Sequence, residues 1–480
     1  MHLKNKAYSA VRWTAAATIV RAVLQIAQVA VLARLLSPED YGLMAMVGVV
    51  LGFAGPFADF GMNSAFVQQQ NVTQEERSSL FWLNVVLGAV LSLLMIALSP
   101  LFSWFFGDVR LAPLMMLSAS TFVIGALGLQ VRMAAEKELD FRPVVSLELS
   151  AAILGFISAL FAAFAGWGVY ALVVGGIVNA VTSTAFAWMF IARGWRPMWR
   201  LRLVDVRPYL RFGGGVLTVN ALSYINMSVD MFLGGRLLGA SQLGLYSVPR
   251  NLVLQLQMMV NPIITRVGFP LIAKVQHDVA RVRSIYLKTL NMTASTNAPL
   301  YMGIAFFTPE IVDIMLGNRW HGAAPLLRIL AAWGLFRSLG NPVGSLLFGM
   351  GRSGLALKWN IGLLFIVPPV VWLGSQYGAE GLAWSLLGLM VGLFIPGWYI
   401  LVRPLCQAGL IEYSIAALRP FMLALLSVLP AYFVTNQFDG VGVRLILGVV
   451  VSVPLYLAIS YRFNREWFGA MKELVGHKSS

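Results

Sequence analysis

The chain of 480 residues is 59% hydrophobic and only 11% charged, whereas an ordinary globular protein carries about 25% charged residues; it cannot present enough polar surface to be soluble and reads as an all-α polytopic membrane protein. The formal net charge of +15 would suit nucleic acid if the basic residues formed one patch, but they are distributed loop by loop along the chain. The single cysteine, Cys406, and four scattered histidines, His2, His277, His321 and His477, exclude an internal disulfide and a cysteine-based metal centre, and neither cofactor nor metal is expected.

A bilayer core takes roughly 20 apolar residues as helix. Apolar blocks of that length lie at 10–34, 40–67, 79–106, 111–135, 145–165, 167–192 and 210–238, then at 242–268, 284–308, 322–349, 355–376, 378–402, 414–435 and 440–461. They predict about fourteen transmembrane helices. The first block follows Lys4, Lys6 and Arg12 without a small-residue cleavage site, so it is read as an uncleaved span.

Loop charges choose the orientation. One set of loops carries Arg77, Arg132, Lys137, Arg142, Lys274, Arg281, Arg283, Lys288, Arg352, Lys358, Arg403 and Arg419, and the longest basic connection, 193–211, belongs to the same set. The opposite set offers little beyond Arg34, Arg110, Arg236, Arg319 and Arg444. An even number of spans puts both termini on the basic side, so both are expected in the cytoplasm. The segment 193–211 is the expected linker between halves, with Trp195 and Trp199 at the membrane boundary. The segment 270–283 is expected to form an amphipathic helix on the same face.

The chain contains a repeat. Arg34-Leu35-Leu36 recurs as Arg236-Leu237-Leu238, and Gly42-Leu43 as Gly244-Leu245, each 202 residues on (34 to 236, 42 to 244). A second match pairs Gly166–Ala171 with Gly378–Ala383 (166 to 378, 212 residues on). Two pseudo-symmetric lobes follow: 1–192 with helices 1–6, and 212–403 with helices 7–12, entering the membrane from the same side as a parallel repeat. Residues 404–480 add helices 13 and 14 and a cytoplasmic tail.

Charges inside spans are costly unless they face water or a partner. Six stand out: Arg21, Asp59, Asp230, Arg250, Arg328 and Arg337. Thr14, Arg21, Gln25 and Gln28 fall on one helical face, as do Arg250, Gln257 and Asn261. Arginine in a water-filled cavity suits a phosphate, because its planar fork binds oxyanions and keeps its proton. The alternative is structural, with Arg21–Asp59 and Asp230–Arg250 as buried pairs locking helices together. Pro56, Pro262 and Pro342 are expected to interrupt helices 2, 8 and 10, and Gly213–Gly215 to open helix 7. No phosphate-binding GxxxxGK[ST] loop occurs, so no nucleotide site is expected.

The stretch LARLLSPEDYGLMAM, followed by FADFGMNSAFVQQ (Phe57–Gln69), LFWLN (Leu80–Asn84) and the segment Arg328–Arg352, resembles the bacterial polysaccharide transporter family. That family, of the lipopolysaccharide and colanic-acid exporter type, belongs with the multidrug MATE exporters in the MOP superfamily. The resemblance covers nearly the whole chain. It implies two six-helix lobes in a V plus two extra helices, rocking to move polyprenyl-diphosphate-linked oligosaccharides across the inner membrane. It also implies membrane lipids, a polysaccharide polymerase and chain-length proteins as partners, and no nucleic acid. By position in the spans, Arg21, Arg250 and Arg337 match the family's cavity cations, with Gln25, Gln28 and Asn261 beside them as substrate-binding residues; Asp59 and Asp230 are candidates for ion coupling. A MATE-like cation antiporter and a lipid II flippase are the alternatives. A glycan polymerase would need a large external catalytic loop, and the short loops argue against an enzyme.

Overall fold

The apolar blocks give the backbone no water to bond with inside a bilayer, so helices that satisfy their own N–H and C=O groups are the available solution. The computed structural model describes residues 20–69, 71–138 and 140–476, and among these every regular element is helical. Thr14, Lys4, Lys6, Arg12, His2 and His477 lie outside the described residues, as do the side chains of Pro262 and Arg266.

The first unit of the chain, Met1–Gly244, begins with α1 over residues 20–35. The polar break after it is a helix start: Ser37 caps α2 (Pro38–Asp59), with Pro38 in the first turn and Asp40 closing a capping box. Then follow α3 (Met62–Gln68), α4 (Gln74–Phe106), capped by Thr73 and Glu76, α5 (Leu111–Lys137) and α6 (Phe141–Phe164). The helix α7 (Tyr170–Phe186) continues into a π-helical turn, Ala187–Ile191. Neighbours in sequence pack as antiparallel pairs, α4 on α5 and α6 on α7.

The helix α8 (Leu203–Lys274) runs out of this unit into the second, Leu245–Ser480. Its one non-helical residue is Gly239, whose φ of 74° lies in the region glycine alone enters without strain. It is followed by α9 (Val279–Phe306), α10 (Thr308–Met315), α11 (Ala323–Ser338), α12 (Asn341–Gly349), α13 (Ser353–Ser375) and α14 (Gly378–Gly392). Two short pieces, α15 (Phe394–Gly397) and α16 (Arg403–Cys406), flank a second π-helical turn, Trp398–Val402. The chain ends with α17 (Leu410–Thr435), α18 (Val441–Phe463) and α19 (Arg465–Gly476). Both α17 and α18 pack on α9.

The described part of each of the fourteen apolar blocks falls largely on helix, but fewer helices stand alone as crossings. Among the described residues ten are long and apolar enough to span a membrane, eleven if α9 and α10, bent by 78°, count as one. Blocks at 210–238 and 242–268 merge into α8, block 322–349 is divided between α11 and α12, and half of the first block precedes residue 20.

Several local expectations change. Pro56 sits inside α2 without interrupting it, and α8 runs through position 262; its break is at Gly239. Pro342 does stand at a break, in the first turn of α12. The glycines 213–215 lie within α8, which opens at Leu203, so residues 203–211 of the expected linker are helical. The segment 270–283 is no separate helix: α8 ends at Lys274, and Asp278 caps α9 by accepting from the Arg281 N–H.

Residues 193–202 are strapped to the start of α4. The Trp195 Nε1 donates to Gln74, the Trp82 Nε1 to the Met198 carbonyl at 2.8 Å, and the Met198 N–H to Ser78. Trp199 stacks on Trp82 at 4.3 Å, and Arg200 bridges Glu75 and Asp205. At the other end of the same unit, Arg110 joins Asp108 to Glu39. Its side-chain hydrogen bond, the largest cause, holds the Asp108 carboxyl below the usual range.

The repeated motif packs on itself. A Cβ on Gly42 would overlap the Ala240 carbonyl, and a Cβ on Gly244 would overlap the Pro38 carbonyl. Positions 38 and 240 are equivalents in the repeat, as are 42 and 244. Two copies of one sequence thus meet through a pseudo-twofold contact, and only glycine leaves room for it.

Candidate functional site

In the first unit, Arg21 on α1 reaches α6, with Nη1 3.2 Å from the Glu148 Oε2. The two side chains are 56% and 39% exposed, so this is an accessible pair and not a buried lock. Asp59 is not the partner of Arg21: it ends α2, and its Oδ1 accepts from the Gly61 N–H at 3.0 Å. Sequence reasoning passed over what lies beside Arg21. Arg132, expected in a loop, is on α5 and donates to the Ser183 hydroxyl of α7 at 2.9 Å. It interacts electrostatically with Glu148 and Glu136. Two arginines and two glutamates from α1, α5 and α6 therefore form one charged cluster. The signal was Arg132 and Glu136 four apart, one helical turn, at the end of an apolar block.

Gln25 and Gln28 continue the Arg21 face along α1, Gln25 exposed and Gln28 half-buried. Asp230, on α8, is buried in this unit.

In the second unit, Arg250, Gln257 and Asn261 form the expected stripe on α8, and all three are buried. The helices α9 and α11 close over it. The Gln257 Nε2 donates to the Gly334 carbonyl at 2.9 Å, the Tyr301 hydroxyl to the Val253 carbonyl at 2.9 Å, and the Asn297 Nδ2 to the Asn261 Oδ1 at 2.9 Å. Arg337, one turn beyond Gly334 on α11, is half-buried with its guanidinium 5.2 Å from the Trp333 ring centre. It is within electrostatic reach of Tyr301. The structure thus gathers α8, α9 and α11 around a polar strip that carries Arg250, Gln257, Asn261 and Arg337. Asn297 and Tyr301 belong to it and were missed. The clue for Asn297 was a polar ridge, Thr289, Thr293 and Asn297, at every fourth position of an apolar block. Arg328 lies apart, exposed, donating to the Ala305 carbonyl at 3.1 Å.

Among the described residues no group of three or more His, Cys, Asp or Glu side chains could hold a metal ion. The chemistry on offer is that of arginine and amide groups inside membrane helices, the kind of donors that suit an anion.

The family model described as "Polysaccharide biosynthesis protein" matches residues 31–325. The lipopolysaccharide biosynthesis protein WzxC of Escherichia coli (strain K12) is 30% identical over 90% of this chain and 88% of its own. In fold, the chain resembles the lipid II flippase MurJ in an inward closed conformation, with a TM-score of 0.72 over 95% of this chain and 99% of that one, at 14% identity. It also resembles an inward-facing MATE multidrug transporter of the MOP superfamily, with a TM-score of 0.55 over 87% and 96%, again at 14% identity. The chain is a multi-pass membrane protein of the polysaccharide biosynthesis protein family, with the fold of the MOP superfamily.

Proposed function

We propose that this protein is a flippase that moves polyprenyl-diphosphate-linked oligosaccharide repeat units across the bacterial inner membrane by alternating access, for exopolysaccharide, capsule or O-antigen assembly. The observation that carries this is the 30% identity to WzxC, named for lipopolysaccharide biosynthesis, over 90% of the chain. The intramembrane arginines supply the physics. A diphosphate meets a large barrier in hydrocarbon, and guanidinium groups beside water lower it while the polyprenyl tail stays in lipid.

On this reading the lobes are 1–192 and 212–403, with 193–211 joining them and 404–480 outside the repeat. Arg21, Arg250 and Arg337 bind the diphosphate, and Gln25, Gln28 and Asn261 the sugars beside it. Asp59 and Asp230 couple an ion. The protein makes and breaks no bond, both termini are cytoplasmic, and a polymerase and chain-length proteins work with it.

A hydrogen bond to a charged group contributes about 1.5–3 kcal/mol, roughly 10- to 100-fold in rate. Arg21→Ala and Arg337→Ala are therefore expected to cut polysaccharide export by at least about tenfold with the protein still in the membrane. Normal export by both variants would remove the arginine reading.

A further inference from the structure

The blocks 167–192 and 378–402, one in each unit, end in the same unusual way. In the first unit α7 passes into the π-helical turn Ala187–Ile191, then Arg193 in the left-handed region with φ 48°. In the second, α14 and α15 lead to the π-helical turn Trp398–Val402, then Arg403, and Gln407 takes φ 53°. Such turns widen a helix by one residue and recur at functional sites. Here each one opens a pocket beside an arginine and a tryptophan.

The two pockets differ in charge. That of the first unit, about 210 Å³, is lined by Arg77, Arg193 and Trp195 together with Glu138 and Asp140. Arg193 is bound to both acids, to Asp140 at 2.5 Å and to Glu138 at 3.7 Å, so the chain supplies its own anion. In the second unit the groove is about 980 Å³, and Trp398, Tyr399, Arg403, Gln407 and Gly409 are among its lining residues, with no carboxylate present. The Arg403 guanidinium lies 5.7 Å from the Trp398 ring centre and 5.5 Å from that of Tyr399. The Trp398 Nε1 is fixed by the Ala408 carbonyl at 3.0 Å. Glu412, a turn away, is committed elsewhere: it accepts from the Gly409 N–H at 3.0 Å and faces Arg283 at 3.9 Å.

We propose that this groove binds the phosphodiester headgroup of an anionic phospholipid, with Arg403 as its cation and Trp398 and Tyr399 as its walls. The groove lies at the end of the candidate span Gly378–Cys406, where headgroups sit. Tyr399, Ile400 and Ile411 are exposed around it, an apolar margin that suits acyl chains and not a free anion. Basic pockets with interfacial aromatics are the form that headgroup recognition takes at a bilayer surface.

The test is binding, independent of export. The full-length protein, delipidated in a neutral detergent, is titrated separately with phosphatidylglycerol, phosphatidylcholine and inorganic phosphate, and retained lipid is read by native mass spectrometry. Wild type and Arg281→Gln, which removes an exposed arginine elsewhere, are expected to retain phosphatidylglycerol over phosphatidylcholine. Arg403→Gln is expected to lower that retention by roughly tenfold, and Arg403→Lys to restore part of it. Equal retention by Arg403→Gln and wild type would overturn the proposal. So would equal retention of the two lipids, or displacement of phosphatidylglycerol by millimolar phosphate, which would mark a small-anion site. A failure of the flippase reading would appear in export and leave these outcomes unchanged.

Discussion

Gly42 and Gly244 each lie against the first turn of the other motif copy, where any Cβ would collide with a backbone carbonyl. A carbonyl on a helix end cannot swing aside like a side chain, so the usual overpacking cost of about 1–3 kcal/mol is a lower bound here. Gly244→Val is expected to lower the unfolding midpoint in detergent sharply, whereas Gly48→Val, with nothing within 4 Å of the added carbon, leaves it nearly unchanged. Similar midpoints would show that the two copies separate at no cost. The same scale shows what one charge needs: Arg21 finds Glu148 on a helix more than a hundred residues away, a pairing no spacing rule along one helix discloses.

At the scale of the element, α9 is the polar spine of the second unit. Its Asn291 Nδ2 donates to the Asn464 Oδ1 at 2.9 Å, and Arg419 of α17 donates to that same oxygen at 3.0 Å. The Asn464 Nδ2 in turn donates to the Ser295 hydroxyl at 2.7 Å, and the Tyr456 hydroxyl of α18 donates to the Ser295 carbonyl at 2.7 Å. One buried asparagine at the junction of α18 and α19 thus ties the last three helices to α9. Asn464→Ala strands two donors, and an unmet buried donor costs about 1–3 kcal/mol. The expected result is a lower unfolding midpoint with export reduced only as far as protein level falls. An unchanged midpoint would mean that water replaces the amide.

At the scale of the whole molecule, loops assigned to one side of the bilayer meet one another within the first unit. Arg110 joins Glu39 at one end, while Arg193 and Arg200 join Asp140 and Glu75 at the other. The basic excess belongs to the second end, and that asymmetry sets the expected orientation. Cys406 is the only cysteine and is buried, so Cys406→Ala gives a clean background for labelling. A membrane-impermeant maleimide added to intact cells is expected to label Arg319→Cys and to spare Arg281→Cys; the reverse pattern would invert the topology.

The sequence alone determined that this chain lives in a membrane, that it is helical and where nearly every apolar block lies, and it carries the motif that recurs 202 residues on. These follow from composition, run length and recurrence, which are local or one-dimensional properties. It also placed Arg250, Gln257 and Asn261 on one face, because helical spacing is fixed by backbone geometry. Tertiary structure decided the rest: the partner of Arg21, the place of Arg132 in a charged cluster, the closure of Asn297 and Tyr301 over the α8 stripe, and the break of α8 at Gly239. It also decided that residues 193–202 are strapped down by tryptophans and not left as a loose connection. Each of these depends on which helix lies next to which, and that choice is made by packing between segments far apart in the chain.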